Sequence, residues 1–145
     1  MQNINCRTAA FIIKNGKLLF AKNANFPCYY LVGGGIEENE TSEEAIVREI
    51  FEETGLKLEI DKLVIVQERF FEVGQKHHEI RFFYSVKDTV EINIADGTFT
   101  DQGIDETLHW LPIDKLGEYE IVPPFLKTLS FDNMNEIQHI VVKEY

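Results

Sequence analysis

Cysteine is scarce in this 145-residue chain: only Cys6 and Cys28 occur. Two cysteines cannot build a disulfide framework, and no C-x-x-C spacing suggests a zinc knuckle or a thioredoxin-type site. They read as two reduced thiols of an intracellular protein. Basic residues are also few, 14 Lys+Arg against 25 Asp+Glu, a net charge of −11. That sign excludes a basic footprint for duplex nucleic acid and does not suit an anionic membrane surface. Long apolar runs are missing as well. Nothing approaches the roughly 18 residues of a membrane span, and Met1 to Asn15 has no run of signal-peptide length. The expectation is a cytoplasmic protein. Proline is rare, with four residues, and no Pro- or Ser-rich linker, repeat or low-complexity tract divides the chain. Hydrophobic residues at 44% and charged residues at 27% are ordinary for a globular protein. The length fits one domain, residues 1–145, of the usual ~100–150 residues.

Local patterns give a mixed strand and helix order. Ala9 to Ile13, the hairpin signal Asn15-Gly16 and Leu18 to Phe20 predict two strands, near 8–13 and 17–22. Tyr29 to Val32 is a short apolar piece running into Gly33-Gly34-Gly35, where three glycines predict a loop. Thr41 with Glu44 forms a capping box, and Gly55 sits where a left-handed C-cap belongs, so a helix is expected from Thr41 to about Glu53. Leu63 to Phe71 and Glu79 to Val86 read as strands joined by a turn at Gly74. Thr107 to Pro112 reads as a strand end, and Pro123-Pro124 as the start of a second helix. Ile137 to Val142 fits a strand or a helix tail equally.

The helix carries the chemistry. At about 100° per residue, with Ala45 at zero, Glu49 falls near 40°, Glu53 near 80° and Glu52 near 340°. Ile46, Ile50, Val47 and Phe51 fall from about 100° to 240°, which predicts the core face. Three carboxylates on one arc repel one another, by ~0.2–0.5 kcal/mol per i,i+4 pair, and their place near the helix C-terminus opposes the macrodipole. Arg48, four residues from both Glu44 and Glu52, offsets part of this. A divalent cation would offset the rest, and clustered carboxylate oxygens suit hard Mg²⁺ or Mn²⁺. An exposed acidic face with local ion pairs would show the same helix spacing, so the upstream loop decides. There Gly33-Gly34-Gly35 offers bare backbone, and Glu40 adds a carboxylate at the junction.

With these residues in place the chain resembles the Nudix hydrolase family. The Nudix box reads G-x5-E-x7-R-E-U-x-E-E-x-G-U, with U a bulky aliphatic residue. Gly34, Glu40, Arg48, Glu49, Ile50, Glu52, Glu53, Gly55 and Leu56 fill it across residues 34–56 without insertion. Leu31-Val32-Gly33-Gly34-Gly35 is similar to the usual L-P-G-G-G approach, with Val32 in place of proline. Trp110-Leu111-Pro112-Ile113-Asp114 is similar to the family's W-L-P-x-[DE] segment. The resemblance covers roughly residues 7 to 130. It implies an α/β fold, an α/β/α sandwich around a mixed β-sheet. It also implies a Mg²⁺- or Mn²⁺-dependent pyrophosphohydrolase. Such an enzyme cleaves the diphosphate of a nucleoside diphosphate linked to another moiety, by attack of water at phosphorus. A small-molecule nucleotide would be its substrate, and homodimers are frequent in the family.

By position, the resemblance makes Glu49, Glu52 and Glu53 metal ligands, with the Gly33 carbonyl as a further one. Arg48 would orient the carboxylates, and Glu40 would support the ligands without touching the ion. The general base in the family is sometimes a box glutamate and sometimes an acid on a later loop. Glu52 and Glu53 are the candidates within the box. Asp101, Asp105 and Glu106 lie in the loop-like stretch before Trp110, and Glu106 is the choice there for an auxiliary ligand or base. His77-His78-Glu79 reads as a turn entering a strand, and Phe70, Phe71, Phe82 to Tyr84 and Trp110 read as core aromatics by period-2 spacing. Subclass markers about sixteen residues beyond the box glycine are a proline for ADP-ribose or a tyrosine for dinucleoside polyphosphates. This chain has Phe70-Phe71-Glu72 in that zone, which leaves a nucleoside triphosphate or another nucleotide sugar. Two other classes stay in view: a catalytically silent Nudix domain that senses a nucleotide, and a small acidic interaction module. The complete box and the glycine loop argue against both.

Overall fold

The computed structural model describes residues 3–89, 92–100, 105–132 and 134–145. The chain forms two five-stranded sheets, the first containing β1 (Ile4–Phe11) and the second β3 (Lys17–Asn23). The turn between them forms because Asn15 and Gly16 take left-handed conformations, φ 52° and 74°, as a tight hairpin requires. A two-residue strand, β2 (Ile13–Lys14), closes that hairpin onto β3. The chain then runs through β4 (Tyr29–Leu31), β5 (Gly33–Gly35) and helix α1 (Ser42–Thr54). A long hairpin follows, β6 (Ile60–Val73) and β7 (Gln75–Val86), turning at Gly74 with φ 73°. The later strands are β8 (Glu106–Pro112), β9 (Ile121–Val122) and β10 (Gln138–Lys143).

The first sheet has the order β10-β6-β7-β1-β5, with β1 parallel to β7 and antiparallel to β5. The second has the order β2-β3-β4-β9, with β8 paired to β3. Both parallel and antiparallel pairs occur, as expected of a mixed α/β fold. Consecutive residues at the end of β1 and just beyond it face opposite ways and are nonetheless buried: Ala9 and Phe11 join one core, Ala10 and the following Ile12 another. A strand buried on both faces reads as a continuous apolar run, and Ala9-Ala10-Phe11-Ile12 does. One core, around Phe11, Phe20, Phe83 and Leu126, is closed by the C-terminal segments. The other, around Ile12, Leu19 and Leu108, is covered by Ile46 and Ile50 of α1.

Four expectations change. Gly33–Gly35 is a strand, not a loop, because Arg7, Thr8 and Ala9 of β1 pair with it and supply the order glycine lacks. The segment led by Pro123-Pro124 is a 3-10 turn, Pro124–Lys127, that ends after four residues; it covers the core through Leu126 without becoming an α-helix. Glu106 begins β8 and does not lie in a loop. The buried face of α1 is Ala45, Ile46, Ile50 and Glu53, whereas Val47 and Phe51 are 36% and 47% exposed. The helix is thus rotated so that part of its acidic arc turns inward. The ambiguous C-terminal piece is the strand β10.

Candidate active site

The end of α1 and the glycine strand are built to touch. Thr41 Oγ1 accepts from the Glu44 N–H at 3.0 Å, and Glu44 Oε1 accepts from the Thr41 N–H at 3.1 Å, so the capping box forms. Gly55, at φ 77°, closes the helix with its N–H on the Phe51 carbonyl. Between these caps, Glu49 and Glu53 project toward β5. A Cβ added at Gly34 would lie 2.5 Å from the Glu49 carboxyl carbon, and one at Gly33 would lie 2.1 Å from the Thr8 carbonyl oxygen. Only glycine allows this approach of β5 to β1 on one side and to Glu49 on the other. The Gly33 N–H donates to Glu53 Oε2 at 3.0 Å.

Arg48 ties the box together. Its Nε and Nη2 donate to Glu40 at 2.8 and 2.9 Å, its Nη1 donates to Glu49 at 2.9 Å and reaches Glu52 at 3.3 Å, and Nη2 also donates to the Gly35 carbonyl at 3.0 Å. A planar, forked cation suits such a bridge better than lysine would. Glu40 also accepts from the Glu37 N–H at 2.9 Å and sits behind Arg48, as a support would.

A cavity of about 530 Å³ opens beside this helix end, lined among others by Gly33, Gly34, Glu49, Glu53 and Glu106. Glu106 comes from the second sheet: Tyr30 Oη donates to its Oε2 at 2.5 Å and Thr100 Oγ1 to its Oε1 at 2.9 Å. Of the residues expected in the site, Gly33, Glu49, Glu53 and Glu106 share the cavity. Glu52 is not among its lining residues and lies half-exposed under Arg48. Asp105 is exposed, and Asp101 lies outside the described residues. His77 and His78 are remote, stacked on Phe71 and Phe70 along the β6–β7 hairpin.

The charges in the cavity are poorly compensated. Glu53 is only 5% exposed, and burial, followed by the nearby Glu106 and Glu49 carboxylates, pushes it up to about 9. Burial also raises Glu49, against the pull of Arg48. Glu40, by contrast, is held down to about 2 by its hydrogen bonds from Arg48. Burial, then the Glu106 carboxylate, keeps the Tyr30 hydroxyl protonated well above its usual range. Among the described residues no three carboxylate, imidazole or thiol side chains stand as a ready-made cation site; Arg48 takes up Glu49 and Glu52, and the Gly33 amide takes up Glu53. The donor chemistry nonetheless suits a hard divalent cation: the Glu49, Glu53 and Glu106 carboxylates stand close enough to raise the protonation of Glu53.

Three residues in the same cavity were not singled out by motif: Arg7, Arg69 and Arg81. Their signal in the sequence is faint, arginine in mid-strand at period-2 spacing from Gln67 and Glu79 in an acidic chain.

Comparison with known proteins agrees with this geometry. The family model of the NUDIX domain matches residues 5–130. A protein of Methanocaldococcus jannaschii named ADP-ribose pyrophosphatase is 48% identical over 56 residues, 37% of this chain and 33% of that protein. A MutT-like protein of Streptomyces ambofaciens is 40% identical over 50 residues, 34% of this chain and 32% of that protein. The match thus spans about a third of the length of these two relatives. A Bacillus subtilis protein provisionally named an 8-oxo-dGTP diphosphatase is 35% identical over 138 residues, 93% of this chain and 86% of that protein. Among solved structures, a mutator MutT protein from Bacillus halodurans has a TM-score of 0.70 at 16% identity, covering 94% of this chain and 86% of that one. Sequence matches across nearly the whole chain, the same fold, and a glycine strand set against a glutamate-bearing helix place this chain in the Nudix hydrolase family.

Proposed function

We propose that the protein is a Mg²⁺- or Mn²⁺-dependent pyrophosphohydrolase of nucleoside diphosphate derivatives, acting in the cytoplasm. One observation carries this reading: Glu49 and Glu53 of α1 and Glu106 of the second sheet converge on one cavity, with the glycine backbone of the first sheet against Glu49 and Glu53. Glu49, Glu52 and Glu53, with the Gly33 carbonyl, would hold the cation, which supplies charge neutralisation at the phosphates and a more acidic water. The chain's own residues do the rest. Arg48 orients Glu49 and Glu52 while Glu40 fixes Arg48. The Gly33 amide fixes Glu53. Tyr30 and Thr100 hold Glu106 facing the cleft. In hydrolysis a water oxygen bonds to phosphorus as the bridging P–O bond breaks. The bond's electron pair leaves with the departing phosphate. The water proton passes to a carboxylate: Glu52 or Glu53 is the base, with Glu106 as auxiliary. The free thiols of Cys6 and Cys28 suit a reducing compartment.

The test is a screen of nucleoside triphosphates and nucleotide sugars with Mg²⁺ and Mn²⁺, scoring phosphate products. Glu53→Gln and Glu52→Gln should each lower turnover by at least ~10²-fold with the fold retained. Normal turnover in both variants would remove the assigned roles. Nucleotide binding without hydrolysis in the wild type would instead favour the silent sensor.

A further inference from the structure

The chain has four arginines, and all four stand at this one site. Arg48 serves the carboxylates. The other three line the cavity wall formed by the first sheet. Strand register places them there. Arg7 of β1 is the Cα partner of Arg81 of β7, and Arg81 is the partner of Gln67 of β6. Residues paired in register share a face, and Arg69, two residues after Gln67, shares it too.

This arrangement is costly as it stands. Like charges directly opposite on neighbouring strands are destabilising. Arg81 has one acidic partner, Glu79 at 2.7 Å, and its Nε is buried with no acceptor among the described residues. Burial, with Arg7 and Arg69 nearby, pushes its guanidinium below the usual arginine range. Arg69 stacks on Phe71 at 4.0 Å and pairs with Glu144 at 3.1 Å. No hydrogen bond or ion pair joins Arg7 to another described residue, and the amide of Gln67, 2% exposed, makes no side-chain hydrogen bond among them either. A guanidinium, a buried Nε–H and an amide thus point into the cavity with their bonding capacity unspent.

We propose that Arg7, Arg81 and Gln67, backed by Arg69, form an anion clamp for a phosphate group that the substrate carries beyond its cleaved diphosphate linkage. The substrate class is then a nucleoside triphosphate rather than a nucleotide sugar. This rests on the hydrolase reading above and narrows it. The cavity has two walls of opposite character: carboxylates that call for a cation, and guanidiniums that call for an anion. A sugar hydroxyl in place of the terminal phosphate would offer the Arg7 guanidinium and the buried Arg81 Nε–H no charged acceptor. A phosphate offers oxygens to forked donors in the geometry arginine fits best.

Two measurements test the clamp. In steady-state assays with Mn²⁺, the wild type should prefer nucleoside triphosphates over UDP-glucose and ADP-ribose. Arg7→Gln and Arg81→Gln should each lower kcat/KM for triphosphates by ~10–100-fold, a loss typical of charge-assisted hydrogen bonds, and lower it at least several-fold less for the sugars; an equal loss on both substrate classes would overturn the clamp. Arg7 makes no hydrogen bond or ion pair among the described residues and only a longer-range attraction to Glu49, so Arg7→Gln should keep the fold even if Arg81→Gln, which strands Glu79, does not. Calorimetric titration of EDTA-treated protein with inorganic tripolyphosphate reads the clamp without catalysis. Wild type should bind, and Arg7→Gln should bind at least ~10-fold more weakly. Equal binding by both proteins, no binding by the wild type, or a preference for nucleotide sugars would overturn the clamp. If the wild type hydrolyses no nucleotide, the hydrolase reading fails, and the titration still decides whether the wall takes phosphate.

Discussion

Gly34 shows how far one missing methyl group decides the site. Its absent Cβ would stand 2.5–2.7 Å from the Glu49 carboxyl group. Gly34→Ala should therefore displace Glu49, costing about 1–3 kcal/mol of stability as overpacking does and at least ~10²-fold in turnover. Urea denaturation and steady-state assays read the two effects, and unchanged activity would mean that Glu49 is free to move. Glu53 makes a second prediction, on pH. In metal-free protein its folded value is about 9 against an ordinary 4.5. Between those values the folded chain binds more protons than the unfolded chain, so stability falls as pH rises. The cost is absent below 4.5, grows through the interval and is complete above about 9. Glu40 acts in the opposite sense: held down to about 2, it adds stability above 4.5 that is lost as acid titrates it. Thermal unfolding in EDTA should show Tm falling from about pH 5 to pH 9, with the slope reduced in Glu53→Gln. A wild-type Tm that rises over this range would contradict the burial of that carboxyl.

Helix α1 was the most legible element, because its start, stop and acids all lie in local spacing. Thr41 and Gly55 took the predicted cap conformations. Thr41→Ala should cost about 1 kcal/mol, and Gly55→Ala about 1–2 kcal/mol through its left-handed backbone, both read by urea denaturation. The inward face was legible only in part. Hydrophobicity assigned Val47 and Phe51 to the core, yet Glu53 is buried in their stead. A carboxylate that must reach β5 turns the helix with it, and side-chain polarity does not reveal that. The glycine strand was hidden for a related reason: its order comes from pairing with β1. The basic wall was hidden more thoroughly, since Arg7 and Arg81 are 74 positions apart and meet only through the register of two parallel strands.

For the molecule as a whole, the net charge of −11 is unevenly spent. Acids gather at the end of α1, and every arginine gathers beside them. Binding of a cation to the folded state alone should stabilise it by about 2.7 kcal/mol at a hundredfold excess over its dissociation constant. Mn²⁺ should raise Tm in the wild type and do so far less in Glu49→Gln; equal shifts would place the cation elsewhere. The chain crosses between the sheets over a single residue twice, at Ile12 and again at Val32. Tyr29–Leu31 belongs to the second sheet, Gly33–Gly35 to the first, and fully buried Val32 lies between. Tyr30 grips Glu106 on one side of that junction, and the Gly33 amide grips Glu53 on the other. Both carboxylates are therefore anchored at the same four residues, Tyr30 to Gly33.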